Sequence, residues 1–257
     1  MRAALIGYTG FVGGNLCEQY EFTDKYNSKN FRDMEGQQYG LVVCAGVSAI
    51  KWLANKEPVK DLENIASLIT VLKTISTNRF VLISTIDVYP NIEKIDEDFD
   101  FHSIENHAYG MHRLGLEDFC LEHFEECLIV RLPGLFGKGL KKNVIYDLLN
   151  DNCLNVINVN SSIQYYYLKY LWVDIRLALD NDIKILNLFT EPLTIDTIVD
   201  NFFPETKIGG KEAPIINYDL RSKYDYLWGK KSGYLYNKEE MLDQLQEFIN
   251  NYKGINK

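Results

Sequence analysis

Several things are scarce in this sequence of 257 residues. No apolar run reaches the roughly 18 residues that a membrane-spanning helix needs, so no integral membrane protein is expected. The opening stretch Met1-Arg2-Ala3-Ala4-Leu5-Ile6-Gly7 turns to glycine too early for a secretory leader, so none is expected. Positive charge is short: 27 Lys and Arg face 36 Asp and Glu, a net charge of −9. Nucleic acids and anionic membrane surfaces select basic proteins, so both are disfavoured as partners. The five cysteines (Cys17, Cys44, Cys120, Cys127, Cys153) are odd in number and scattered, with no C-x-x-C pair. Reduced thiols in a cytoplasmic protein explain them better than disulfides or a metal site. His102, His107 and His112 recur every five residues, off the spacing of a helical metal pair, so no metal is expected. The six prolines give no sign of a long disordered segment.

What is present has globular proportions, 46% apolar and 25% charged. Short apolar runs alternate with helical stretches, which predicts α/β with a parallel sheet. Strands are expected over 3–8, 41–45, 80–84, 128–131 and 185–189, with a weaker one near 22–27. Helices are expected over 11–20, 58–75 and 108–124, and from near 173. The second of these would bury Val59, Leu62, Ile65, Ala66, Ile69, Leu72 and Ile75 along one face. Asn237, with Glu240 three residues on, would cap a last helix. The expected division is a parallel-sheet core over 1–160, rejoined over 171–190, a small lobe from 161–170 and 191–236, and a C-terminal helix over 237–257.

Gly7-Tyr8-Thr9-Gly10-Phe11-Val12-Gly13 follows the first strand directly and opens the first helix. Glycines there permit a tight turn, close approach of a pyrophosphate and close helix–strand packing. The helix N-terminus offers free N–H groups and partial positive charge to the phosphates. Gly7, Thr9, Gly10, Phe11, Val12 and Gly13 are therefore the expected cofactor contacts. Enzymes that prefer NAD usually carry an acidic residue about 20 positions further on. Here the second strand ends in Tyr26-Asn27-Ser28-Lys29-Asn30, with no carboxylate. Asn27, Ser28 and Lys29 would meet the adenosine ribose, and Lys29 or Arg32 a 2′-phosphate, which leans toward NADP over NAD. Plain solvated charge is the alternative for both cations.

At this point the chain resembles the extended short-chain dehydrogenase/reductases, the NAD(P)-dependent sugar-nucleotide epimerases, dehydratases and reductases. The glycine loop is similar to the family's T-G-x-x-G-x-x-G. Cys44-Ala45-Gly46 resembles its small-residue turn, and Asn64 falls where the family keeps a helical Asn. Ser84-Thr85-Ile86-Asp87-Val88-Tyr89 resembles S-[ST]-x-x-V-Y, and Tyr109-Gly110-Met111-His112-Arg113 resembles Y-x-x-x-K. The run from Arg131 through Pro133 to Gly137 is similar to R-P-x-x-x-Y-G, and Val173-Asp174 lies in a later V-x-D-like motif.

The resemblance implies a Rossmann-type doubly wound sheet with a small C-terminal substrate lobe. It implies hydride transfer on a nucleotide sugar or a similar small carbonyl or hydroxyl compound. Tyr109 would be the general acid/base, Arg113 the cation that lowers its pKa and holds the nicotinamide ribose, and Thr85 the partner of the substrate oxygen. Ala45, Gly46, Asn64 and Pro133 would complete the cofactor site, and Asp87 and Arg221 would contact substrate. Many family dimers pair the helices expected over 58–75 and 108–124, and the wide apolar faces here permit a homodimer without requiring one.

Three departures qualify this reading. Arginine replaces the family's lysine at Arg113, and its planar fork is not interchangeable with an ammonium. Ile86 stands where sugar-nucleotide dehydratases place an acidic proton donor, which favours ketone reduction or epimerisation over dehydration. The interval 27–40 is too short for a helix, strand and helix, so the adenine edge of the sheet is expected to be cut down. A non-catalytic NAD(P)-binding sensor or partner-binding module on the same fold is the alternative function. Tyr165-Tyr166-Tyr167 would wall a pocket or join a core strand.

Overall fold

The computed structural model describes residues 2–90 and 93–255. In chain order the first elements are β1 (Ala3–Ile6), α1 (Phe11–Gln19), β2 (Asp24–Tyr26), β3 (Gln38–Cys44), α2 (Lys51–Lys56) and α3 (Pro58–Leu72). Then come β4 (Ser76–Thr85), α4 (Ala108–His123), β5 (Cys127–Leu132), β6 (Gly134–Phe136), α5 (Val144–Leu149), β7 (Ser162–Ile163) and β8 (Tyr165–Tyr167). The chain closes with α6 (Leu171–Asp180), β9 (Ile185–Asn187), β10 (Leu193–Thr194), α7 (Ile195–Phe202) and α8 (Lys238–Ile255). None of the helices among the described residues is long and apolar enough to cross a membrane.

Two compact units form. The first comprises 1–90, 100–132 and 169–187. Its sheet has six parallel strands in the order β2-β1-β3-β4-β5-β9. β1 and β5 are buried along their whole length, as strands covered on both faces require. On one face, Ala4, Ile6, Val42, Cys44, Phe80, Leu82 and Ile129 pack against Ile65, Leu68 and Leu72 of α3 and Leu116 and Cys120 of α4. Phe80 and Phe124 stack there with ring centroids 4.1 Å apart. Burial pushes the Cys44 thiol up to about 11 and the Cys127 thiol up to about 12, so both stay protonated in the core. The β2 edge of the sheet is short, as expected. Only a 3-10 turn, Phe31–Met34, lies between β2 and β3.

The buried stripe of α3 is rotated from the expected one. Asp61, Ile65, Leu68, Val71 and Leu72 face inward, whereas Val59 and Leu62 are exposed. Asp61 lies on the buried stripe, its carboxylate in an ion pair described below. Helix α2, missed in the sequence, fits in just ahead of Pro58.

The second unit comprises 91–99, 133–168 and 188–257. Residues 133–160, read from the sequence as part of the core, cluster here, as does α8. The reason is pairing and packing. β6 runs parallel to β8, and Phe248 of α8 lies against Phe136 and Tyr167 with centroids 5.5 and 6.0 Å away. Tyr165, Tyr166 and Tyr167 are all buried, so this run is a core strand. The Gln164 side chain ties three segments together. Its amide nitrogen donates to the Thr190 and Leu220 carbonyls at 2.6 and 2.7 Å, and its oxygen accepts from the Leu220 N–H at 2.9 Å. Asn237 and Glu240 form the reciprocal capping box at the start of α8. Met1, Asn256 and Lys257, the ends of the expected division, lie outside the described residues.

Candidate active site

The parallel strands bring several sequence-predicted residues to one edge of the sheet of the first unit. Gly7 follows β1, Ala45 and Gly46 follow β3, and Thr85 ends β4, all at carboxyl ends of strands. Open α/β sheets bind ligands at this edge.

Steric demand fixes two of the loop glycines. Gly7 has φ +88°, and a Cβ there would stand 2.3 Å from the Ala45 carbonyl oxygen. A Cβ on Gly13 would stand 2.1 Å from the Gly7 carbonyl oxygen. Gly10 differs, since a Cβ there would meet only the Gly7 oxygen at 3.2 Å. The loop closes by a bond from the Gly10 N–H to the Gly7 carbonyl, 2.9 Å, and Gly14 donates to Gly10 at 2.8 Å. No side chain caps α1, and its first turn holds no acidic residue. Its leading N–H groups therefore face outward without a protein acceptor, which is the donor set a pyrophosphate requires. Thr9 is exposed, and Phe11 and Val12 are half-buried.

At the end of β2, Asn27 organises the turn. Its side-chain oxygen accepts from the Lys29 N–H at 2.9 Å, and its amide donates to the Tyr8 hydroxyl at 3.3 Å. Ser28 and Lys29 are exposed. Arg32 is engaged elsewhere, donating to Ser67 Oγ at 3.1 Å and pairing with Glu35 at 3.5 Å. Asn64 stands exposed on α3, and Pro133 is the buried first residue after β5.

Tyr109 and Arg113 lie four apart on α4 and share a face. The guanidinium carbon is 3.9 Å from the Tyr109 ring centroid. Thr85 lies close enough to the phenol to favour its ionised form, while the Thr85 hydroxyl itself donates to Asp87. Burial raises the phenol's pKa, and the opposing pull of Arg113 does not overcome it. The implied lowering by the cation is thus outweighed in this structure. Asn55, absent from the sequence reading, accepts the Tyr109 N–H at 2.9 Å. His107 caps α4, its Nδ1 accepting from the Gly110 N–H at 3.0 Å.

Arg113 is held by partners that the sequence reading also missed. Asp61 takes its two terminal nitrogens in a fork, with Nη2 to Oδ1 at 2.9 Å and Nη1 to Oδ2 closer still. Nη2 also donates to the Ser48 carbonyl at 2.7 Å. His112 Nδ1 lies 2.7 Å from the same carboxylate. Burial works to raise the Asp61 pKa, but hydrogen bonds from Arg113 and His112 outweigh it and hold the carboxyl below the usual range. Arg113 Nε is buried and has no hydrogen-bond partner.

Asp87 lies beside Thr85, its Oδ2 3.3 Å from Thr85 Oγ1. Lys51 of α2 binds its other oxygen at 2.5 Å. Below this edge lies a second buried pair. Arg131 on β5 meets Glu117 on α4 at 2.6 Å and donates to the Tyr89 hydroxyl at 2.7 Å. Ser84 donates to Glu117, and Asn187 donates to Tyr89 at 2.9 Å.

In the second unit, the Arg221 guanidinium lies 5.3 Å from the Tyr234 ring centroid and 3.6 Å from Asp219. The acid-rich segment 93–99 is tied down there. Glu97 accepts from Ser222 Oγ at 2.7 Å and from the Lys223 N–H at 2.8 Å.

No family model and no curated protein matches the sequence. Solved structures do match in shape. UDP-glucose 4-epimerase of Thermotoga maritima, solved with UDP-glucose, aligns at a TM-score of 0.76 with 13% identity over 100% of both chains. RMD of Pseudomonas aeruginosa, complexed with NADPH, aligns at 0.72 with 15% identity over 98% of this chain and 99% of its own. A variant of UDP-glucuronic acid 4-epimerase of Bacillus cereus, holding a fluorinated UDP-glucuronic acid and NAD, aligns at 0.70 with 14% identity over 99% and 100%. The chain thus shares the fold of these structures.

Proposed function

We propose that the protein is a cytoplasmic NAD(P)-dependent oxidoreductase or epimerase acting on a nucleotide sugar or a similar small carbonyl or hydroxyl compound. The observation that carries this reading is the buried Tyr109 phenol beside Thr85, with the Arg113 guanidinium over its ring, at the same sheet edge as the glycine cradle. When bound, the nicotinamide supplies or accepts the hydride. Gly7, Gly10 and Gly13 give the pyrophosphate its close approach, and the leading N–H groups of α1 bind it. Asn27, Ser28 and Lys29 face the adenosine ribose, with Lys29 favouring a 2′-phosphate. Arg113 Nε is the guanidinium donor left over for the nicotinamide ribose. In reduction, Tyr109 gives its proton to the carbonyl oxygen as hydride adds at the carbonyl carbon, and Thr85 positions that oxygen. In the reverse direction the phenolate takes the proton back. Asp87 contacts substrate. Asp87 is neutralised by Lys51, and Ile86 is buried and apolar, so neither serves as the free acid that dehydration needs.

The exposed Val59 and Leu62 of α3 and Met111 of α4 favour a homodimer through these helices. The locking of Arg113 by Asp61 favours a second reading, a non-catalytic NAD(P)-binding module. The two are separated by screening nucleotide sugars for NAD(P)H-dependent turnover. Tyr109→Phe is expected to lower turnover by about 10²–10⁴-fold while leaving cofactor affinity nearly unchanged. An unchanged rate removes the assignment, and a module that never turned over gains nothing from Arg113→Lys.

A further inference from the structure

The Arg113 guanidinium has five N–H donors, and their destinations are informative. Both terminal nitrogens are spent on Asp61, one also on the Ser48 carbonyl and the other on the Tyr109 carbonyl at 3.4 Å. None of these donors is committed to the Tyr109 hydroxyl. The guanidinium instead lies over the ring, its carbon 3.9 Å from the centroid. Asp61 and Arg113 are 8% and 4% exposed, so their charges act through a poorly screened medium. Asp61 sits in the first turn of α3, where the helix N-terminus favours a carboxylate. A lysine ammonium would be a mobile point charge at this place. An arginine gripped by a fork is a fixed plate with most of its charge compensated.

We propose that Asp61 is a positioning residue which, by gripping Arg113, sets both the place of the guanidinium beneath the Tyr109 ring and the net charge that Tyr109 experiences. This rests on the reading of Tyr109 as the acid/base. The consequence is a phenol that keeps its proton near neutral pH, so the site favours donating a proton in carbonyl reduction over removing one from an alcohol. The charged groups facing Tyr109 are Arg113 from its own helix, Asp61 from α3 and Asp87 from the segment after β4. Lys51 of α2 lies on Asp87, and His107 stands with its ring centroid 6.2 Å away. Burial, followed by the Lys51 charge, lowers the His107 pKa, so above about pH 8 that ring is neutral and Tyr109 is read against a constant background.

The test is fluorine NMR of the whole protein labelled with 3-fluorotyrosine, in which fluorine brings phenol titration into a working pH range. The Tyr109 resonance is assigned by its loss in Tyr109→Phe. No substrate or cofactor is added, so the outcome is independent of whether turnover is ever found. Asp61→Asn leaves the Arg113 charge uncompensated, and Tyr109 is expected to titrate about one pH unit or more lower. Arg113→Gln leaves the Asp61 carboxylate with only its His112 hydrogen bond and is expected to move the titration up. The double variant, again neutral, is expected to return close to wild type. Should Asp61→Asn fail to fold, Arg113→Gln and the double variant carry the test. A purely structural ion pair would change stability and leave the titration in place. An unmoved Tyr109 in either folded single variant overturns the proposal.

Discussion

Two buried arginines in the first unit lie over tyrosine rings, and each is paired with a helical carboxylate. They differ in what remains of their bonding capacity. Arg131 is 2% exposed and every guanidinium nitrogen is bonded, Nε and Nη2 to Glu117 and Nη1 to Tyr89. Its partners are themselves bonded, Glu117 by Ser84 and Tyr89 by Asn187. Arg113 keeps a buried Nε without a partner, shares Asp61 with a histidine and touches the residue proposed to move the proton. A closed polar network specifies and rigidifies a core. An open one, with a donor to spare at the ligand edge of a sheet, is where binding and chemistry are expected.

That contrast can be broken by measurement. The largest effect is expected at the closed pair. Glu117→Ala strands a buried guanidinium and should cost about 3–5 kcal/mol in urea unfolding. A cost comparable with that of Asp61→Asn would erase the distinction between the two pairs. Asp61→Asn is expected to cost less, about 1–3 kcal/mol, because Arg113 keeps two carbonyl acceptors. The Asp61 carboxyl has a lower pKa folded than its free value of 3.8. Its contribution is therefore fully present above that value and lost as pH falls through the folded pKa. The stability gap between wild type and Asp61→Asn should accordingly shrink in acid unfolding as pH falls below 3.8 and close once pH passes the lower folded pKa, and a gap that does not shrink would show a loss that is not ionic.

The smallest effect belongs to a surface pair. His102 lies between Asp118 at 3.2 Å and Asp100 at 3.3 Å, and the bond to Asp118, stronger than the opposing burial, raises its pKa. Its charged form stabilises below the free histidine value of 6.5, and that contribution is lost as pH rises through the raised folded pKa. His102→Gln should cost less than about 1 kcal/mol at pH 6, less again in high salt, and nothing at pH 9. A large, salt-insensitive cost would place His102 among the closed networks.

The comparison also explains what the sequence made legible. The glycine cradle is set by local backbone sterics, so its spacing was visible in Gly7, Gly10 and Gly13. β1, β3, β4, β5 and β9 announced themselves as apolar runs, and the Tyr109–Arg113 face followed from helical geometry. What stayed hidden depends on partners in other elements. Asp61 and Asn55 meet α4 only after the helices pack, and Lys51 sits on a six-residue helix too short to leave a periodic signal. One clue to Asp61 was available, since it stands four residues before Ile65 and seven before Leu68 on the stripe that turned out to be buried. The division at Leu132 was also hidden, because the β6–β8 pairing that draws 133–168 away joins segments far apart in the chain.

The most direct measurement is a calorimetric titration of the purified protein with NADPH, NADP, NADH and NAD, run beside Gly13→Ala and Tyr109→Phe. The account predicts that wild type and Tyr109→Phe bind at least one nicotinamide dinucleotide with similar affinity. It predicts that Gly13→Ala binds far more weakly, because its added carbon stands 2.1 Å from the Gly7 oxygen and forces the cradle open. Failure of folded wild-type protein to bind any of the four would contradict it.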